Sequence, residues 1–149
     1  MKRNSMKKAV FVDRDNTLNY DPGYVHKIED LRVCEKIVPL LKEYQDKGYV
    51  IIVISNQSGI GRGYFTKDDT ERFNAALKEE FLKRGINLSS FYYCPHRPED
   101  NCECRKPKTG LIDKAVKDFD INLEESVVVG DKKDIDGEMA RRLGIKFIH

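Results

Sequence analysis

Ala9-Val10-Phe11-Val12-Asp13-Arg14-Asp15-Asn16-Thr17 is the stretch that decides the reading of this chain. Four apolar residues in an unbroken run read as a strand buried on both faces, as parallel sheets require. The run stops at one carboxylate, and a second follows two residues later. Val50 to Ile54 repeats the pattern and stops at Ser55-Asn56-Gln57-Ser58-Gly59. Val127 to Val129 does so again and stops at Gly130-Asp131-Lys132-Lys133-Asp134. In open parallel sheets, ligands bind outside the carboxyl ends of the strands. These three polar tips are therefore expected to meet in one crevice.

Helical stretches lie between the runs. Glu35 to Lys47 places Ile37, Leu40, Leu41 and Tyr44 on one face, with Gly48 as a C-terminal cap. Thr66 and Asp69 have capping-box spacing and open a helix of about 18 residues that Gly85 ends. Phe73, Leu77 and Phe81 line its inner face. A short strand is expected at Phe91 to Tyr93, helices at Leu111 to Phe119 and Gly137 to Leu143, and a last strand at Lys146 to Ile148. This alternation predicts an α/β fold, a Rossmann-like doubly wound parallel sheet. At 149 residues the chain suits a single domain, 1–149, with a core that needs no disulfide.

Composition narrows the function. Lys and Arg number 27 against 25 Asp and Glu, a net charge of +2, too near neutral for a dedicated nucleic-acid binder. No apolar run approaches the roughly 20 residues of a membrane span. The start, Met1 to Lys8, is basic without the apolar stretch of a signal peptide, and Met6 is a second candidate start. The chain reads as cytoplasmic.

Asp13, Asp15 and Asp131 repel one another when brought together, and a divalent cation removes that cost. Oxygen-only ligation suits Mg²⁺. Ser55 offers a hydroxyl, Asn56 to Gly59 offer backbone N–H groups, and Arg105 and Lys106 offer positive charge for phosphate oxygens. Gly59-Ile60-Gly61-Arg62-Gly63 reads as a flexible loop able to approach a ligand. Of four cysteines, Cys94, Cys102 and Cys104 cluster with His96 while Cys34 stands apart. In a cytosolic chain such clusters bind metal more often than they form disulfides. Three thiolates and one imidazole close a tetrahedral, structural Zn²⁺ site, which would staple the loop at about 94–104 directly before Arg105 and Lys106. Cys34 reads as a small core or surface residue, and His26 as loop packing.

The segment Asp13 to Thr17 resembles the DxDxT signature of the haloacid dehalogenase (HAD) superfamily phosphatases. Ser55, Lys106 and Gly130-Asp131 follow in that superfamily's order. Asp21-Pro22-Gly23-Tyr24-Val25-His26, Ser55 to Ile60, Arg62 to Thr66, Cys94-Pro95-His96 and Cys102 to Pro107 narrow the resemblance to the heptose bisphosphate phosphatase branch, whose zinc loop histidinol phosphatases share. The resemblance spans nearly the whole chain and implies a capless fold and a phosphoaspartyl mechanism. Asp13 would be the nucleophile and Asp15 the general acid and base. Mg²⁺ would be held by Asp13, the Asp15 backbone carbonyl and Asp131. Ser55 and Lys106 would stabilise the phosphoryl group. Arg14, Asp21, Pro22, Gly23, Tyr24, Asn56, Gln57, Ser58, Arg105 and Lys132 would contact substrate. The implied partner is a small phosphorylated sugar, acted on by a monomer, with neither nucleic acid nor membrane.

Three positions depart from the family pattern. Asn16 stands where Gly is usual, and Asn tolerates the left-handed backbone better than most residues. The acidic residue usual four places after the Gly-Asp aspartate is replaced by Ile135, leaving Asp134 and Asp136 open as its substitute. The chain also stops at His149, where relatives continue, so the substrate surface or an oligomer contact is open to differ. Alternative readings are a histidinol-phosphate phosphatase, a polynucleotide 3′-phosphatase and, outside enzymes, a receiver-like phosphoacceptor switch.

Overall fold

A computed structural model describes residues 6–149. Met1 to Ser5, and with them most of the basic start, lie outside the described residues. Five strands form one sheet: β1 (Ala9–Val12), β2 (Val50–Asn56), β3 (Leu88–Cys94), β4 (Val127–Val129) and β5 (Lys146–Ile148). Their order is β3-β2-β1-β4-β5, and every pairing is parallel. The helices are α1 (Val38–Asp46), α2 (Ser58–Gly61), α3 (Lys67–Lys83), α4 (Gly110–Phe119) and α5 (Glu138–Leu143).

Both faces of the sheet are covered, which explains the unbroken apolar runs. Ala9 and Phe11 point to one face with Ile52, Ile54 and Val128, under Leu111, Ile112 and Ala115 of α4 and Met139 and Ala140 of α5. Val10 and Val12 point to the other with Ile51, Val53 and Val129, under Leu41 of α1 and Leu77 and Phe81 of α3. Each fully buried Val, Leu, Ile, Phe or Met among them contributes roughly 1.5–3 kcal/mol. The doubly wound sheet is as expected. Strand order reverses at β1, so the crevice opens at the carboxyl ends of β1, β2 and β4, where the three polar tips stand.

Element boundaries differ from the sequence reading for local reasons. The helix expected from Glu35 begins as a 3-10 turn over Glu35–Ile37, and α1 proper starts at Val38. Pro39 has no N–H to donate backwards, so it belongs in a first turn. β3 runs from Leu88, not Phe91: Ser89 and Ser90 interrupt the apolar run, yet Leu88 and Ser90 pair with Ile51 and Ile52 of β2 across a register shift. The capping box of α3 is present: Asp69 N–H donates to Thr66 Oγ1 at 3.1 Å, and Thr66 N–H to Asp69 Oδ2 at 2.9 Å. Gly48 and Gly85 take φ +93° and +80° beyond their helices, a geometry that a side chain would strain.

The reading of Gly59 to Gly63 as a loop needs correction, since α2 occupies most of it. A Cβ on Gly59 would fall 2.2 Å from the Phe65 ring, and one on Gly61 2.8 Å from the Pro95 carbonyl. These glycines let the turn pack onto its neighbours.

Candidate active site

Asp13 extends β1 by one hydrogen bond, its N–H donating to Val129 O at 2.9 Å. The chain then turns sharply, with Leu18 N–H on Arg14 O at 2.8 Å and Asn16 N–H on Asn19 O at 2.6 Å. Asn16 sits at φ 63°, the left-handed conformation for which Gly is usual and Asn is tolerated. Its Oδ1 also accepts the Asp21 N–H at 3.0 Å.

Lys106 is the hub of the site. It is 4% exposed, and its Nζ donates to Asp13 Oδ1 at 2.8 Å, Asp136 Oδ1 at 2.8 Å and Ile54 O at 2.9 Å. Burial works against the ammonium, but the Asp13 and Asp136 charges outweigh it and hold the pKa above the ordinary lysine value. Oxygens of Asp13, Asp131 and Asp136 lie within 4.8 Å of one another. Burial, then the hydrogen bond and charge of Asp13, push Asp131 up to about 6. Asp131 Oδ1 is buried without a hydrogen-bond partner. Three mutually close carboxylates, two of them on one ammonium and the third with an unpartnered oxygen, form a donor set that fits a hard cation.

Asp136 resolves the choice between Asp134 and Asp136 for this position. Residues Lys133–Gly137 form a π turn, with the N–H groups of Asp136 and Gly137 both directed at Lys132 O. The wider turn takes up an extra residue, so the acid five places after Asp131 points inward. Asp136 is buried while Asp134 is exposed. Gly130 leaves the room, since a Cβ there would fall 2.3 Å from Asp136 Oδ2.

Asp15 is held on both oxygens. Oδ1 accepts from Arg14 Nε at 2.9 Å and Asn19 Nδ2 at 3.1 Å, and Oδ2 from Gln57 Nε2 at 3.0 Å. Gln57 Nε2 also donates to Ser55 Oγ at 3.2 Å, which ties the tips of β1 and β2. Asn56 clamps the backbone of Lys106: its Oδ1 accepts the Lys106 N–H at 2.9 Å and its Nδ2 donates to Lys106 O at 3.2 Å.

A cleft of about 260 Å³ lies over these groups, lined by Asp13, Asp15, Asn16, Asp21, Gly23, Tyr24, Asn56, Gln57, Ser58, Gly59, Arg105, Lys106, Lys132, Ile135 and Asp136. Two expected substrate contacts do not join it. Arg14 is 1% exposed and turned into the protein, where the Phe73 ring lies 4.5 Å from its guanidinium carbon. Pro22 lines a separate outer hollow with Tyr20 and Arg32. Ser55, 3% exposed, and Asp131 border the reactive groups without lining the cleft wall. The wall from Asp21 to Tyr24 is shaped by Asp21 Oδ1, which accepts from Gly23 N–H at 3.0 Å and Val25 N–H at 2.9 Å. His26 stacks on Phe65 at 4.7 Å, in keeping with a packing role. The sequence reading overlooked Asn19, which carries no motif signal of its own, and did not place Ile135 in the cleft wall.

Beside the cleft, Cys94, His96, Cys102 and Cys104 converge. Cys104 Sγ lies 2.8 Å from Cys94 Sγ, 3.7 Å from Cys102 Sγ and 3.3 Å from His96 Nδ1. Burial tends to raise the Cys102 thiol, but hydrogen bonds from Cys94 and the Arg105 and Cys104 N–H groups outweigh it and bring it to about 6. A Cβ on Gly110 would fall 2.5 Å from Glu103 O, so the loop lies tightly on the start of α4. Cys34 is separate and buried in the core.

The parallel sheet with its acidic crevice has the fold of HAD-like phosphatases among the solved structures. The chain belongs to the polynucleotide kinase 3 phosphatase family, which matches residues 8–148. It is 49% identical over 144 residues to the probable D-glycero-D-manno-heptose-1,7-bisphosphate 7-phosphatase of Thermoplasma acidophilum, covering 97% of this chain and 90% of that protein. It is 47% identical over 136 residues to the D-glycero-beta-D-manno-heptose-1,7-bisphosphate 7-phosphatase of Haemophilus ducreyi, covering 85% and 73% respectively. The crystal structure of D,D-heptose 1,7-bisphosphate phosphatase from B. bronchiseptica, complexed with magnesium and phosphate, has the same fold. It matches at TM-score 0.84 and 24% identity over 95% of this chain and 79% of that one. The chain is a phosphoric monoester hydrolase. Among the described residues, no helix is long and apolar enough to cross a membrane.

Proposed function

We propose that this phosphatase removes the 7-phosphate of D-glycero-D-manno-heptose 1,7-bisphosphate through an aspartyl-phosphate, acting as a cytoplasmic, monomeric single domain. The observation that carries the chemistry is the Lys106 ammonium bound to Asp13 and Asp136 beside the unpartnered oxygen of Asp131. Relatives named for this substrate at 39–49% identity support the sugar.

The Asp13 carboxylate attacks phosphorus and the ester P–O bond breaks. Asp15 gives its proton to the leaving sugar oxygen, then takes one from the water that cleaves the aspartyl-phosphate. The water oxygen ends on phosphate and Asp13 is released as carboxylate. Lys106 and Ser55 stabilise the charge on the transferring phosphoryl oxygens, where fixed donors matter most. Asp13, Asp131 and the Asp15 backbone would hold Mg²⁺, which when bound supplies charge neutralisation and orientation. Arg105, Lys132 and the Asp21, Gly23 and Tyr24 wall receive the rest of the sugar phosphate. The thiols and His96 would hold Zn²⁺ as a structural staple that keeps Arg105 and Lys106 in place.

Phosphate release with Mg²⁺ is the test. The substrates are the heptose bisphosphate, histidinol phosphate and a 3′-phosphorylated oligonucleotide, the last because of the family's name. Expected is a strong preference for the heptose, abolished by Asp13→Asn. Preference for either other substrate would overturn the assignment while keeping the chemistry. Undiminished turnover by Asp13→Asn would overturn the chemistry itself.

A further inference from the structure

We infer that Asn74, on α3 and outside the cleft, is a positioning residue that aims the Asp15 carboxylate through the buried Arg14 guanidinium. Arg14 is 1% exposed and Asn74 5%, so neither has water to fall back on. The guanidinium is held on three sides. Nη1 donates to Asn74 Oδ1 at 3.0 Å, Nη2 to Val25 O at 3.2 Å and Nε to Asp15 Oδ1 at 2.9 Å. The Phe73 ring closes one face at 4.5 Å, a cation–π contact. A planar fork fixed at both terminal nitrogens cannot rotate, so its Nε direction, and with it the Asp15 oxygen, is set from α3. Without the Asn74 oxygen, Nη1 is a buried charged donor with no acceptor, an arrangement the fork relieves by turning. The turn pivots about the Val25 carbonyl and carries Nε away from Asp15.

The inference rests on the proposed acid–base role of Asp15, and the two are separable by leaving group. A sugar alkoxide needs a proton to depart, whereas p-nitrophenolate does not. A burst measurement of the first turnover with Mg²⁺ compares the heptose bisphosphate with p-nitrophenyl phosphate. Asp15→Asn tests the role: it should lose the sugar-alcohol burst and keep the nitrophenolate burst. Equal bursts from that variant would refute the acid role whatever Asn74 does.

Asn74→Leu should then slow the alkyl burst about 10–100-fold, within the range of a general acid's contribution. Its nitrophenolate burst and KM should stay within about threefold of the parent, because Asp13, Lys106 and the cleft groups other than Asp15 keep their contacts. Asn74→Asp keeps an acceptor facing Nη1 and should restore the alkyl burst. If Asn74→Leu does not fold, Asn74→Ser, whose oxygen falls short of Nη1, takes its place. With Asp15→Asn behaving as stated, three results would each overturn the inference. These are an alkyl burst at the parent rate, an equal loss of both bursts, or failure of Asn74→Asp to rescue.

Discussion

Gly130→Ala is the sharpest test of how the acidic site is assembled. The added Cβ would lie 2.3 Å from Asp136 Oδ2, 2.4 Å from its Cγ and 2.7 Å from its Cβ. Gly130 is not among the positive-φ glycines, so the cost is this clash alone and not backbone strain. Ordinary contact begins near 3.4 Å, so Asp136 must retreat by about 1 Å, a displacement of the size that costs about 10²-fold in rate. Rotating the Asp136 side chain does not relieve the clash, because its Cβ itself lies 2.7 Å away on a backbone whose N–H is tied to Lys132 O at 2.8 Å. The retreat breaks its 2.8 Å bond to Lys106. Overpacking costs about 1–3 kcal/mol, and loosening a buried ion pair adds to it, so we expect about 2–4 kcal/mol of lost stability. Urea unfolding reads the stability loss and Mg²⁺-dependent phosphate release the rate loss. A double-mutant cycle isolates the contact, since Gly130→Ala should cost little in an Asp136→Ala background. Parent-like stability and turnover, or an undiminished penalty in that background, would refute the packing of Gly130 on Asp136.

Other expectations follow from the same geometry. Purified protein should carry about one zinc per chain, and Cys102→Ser should lower both that content and turnover by loosening Lys106; zinc below about 0.3 per chain in the parent would count against the staple. The pKa of Asp131 is raised to about 6, so its contribution to metal-free stability is full below about pH 4 and is lost as pH rises through about 6. Added Mg²⁺ should offset that loss, and Asp131→Asn should remove the slope, both read as melting temperature against pH. At Asn16, φ 63° makes Asn16→Ala cost about 1–2 kcal/mol while Asn16→Gly costs less, by urea unfolding; equal costs would rule out the left-handed strain as the cause.

Much of the fold was legible because burial on both faces of a parallel sheet leaves a direct trace. Ala9 to Val12, Val50 to Ile54 and Val127 to Val129 are apolar without interruption, and the first and last stop where their strands end, while β2 continues through Ser55 and Asn56. The Cys–His cluster was legible for a different reason: thiolates and imidazole at short spacing have few other uses. What stayed hidden depends on orientation. Arg14 stands between two site aspartates and reads as a substrate contact. The turn after Asp13 instead drives its side chain into the protein, onto Asn74 and Phe73 of α3. Spacing rules also fail where the helix changes type. An α turn would carry the acid four places after Asp131, at Ile135. The π turn moves it to Asp136, and Gly130 makes the space.

These hidden features share one physical origin. Lys106 sits buried between two carboxylates, and a buried charge is tolerated only where its partners are held in place. Asn56 grips its backbone, Asp136 is delivered by the π turn, and the Cys–His loop ends two residues before it. Arg14 meets the same requirement on the other side of the cleft through Asn74 and Val25. The charged and hydroxyl residues of the motifs therefore name the groups of the reaction, while neighbouring residues, inside the motifs and outside them, hold those groups in place. Substitution at Asn56, Asn74 or Gly130 should consequently impair turnover although none of them exchanges a proton or a bond with substrate.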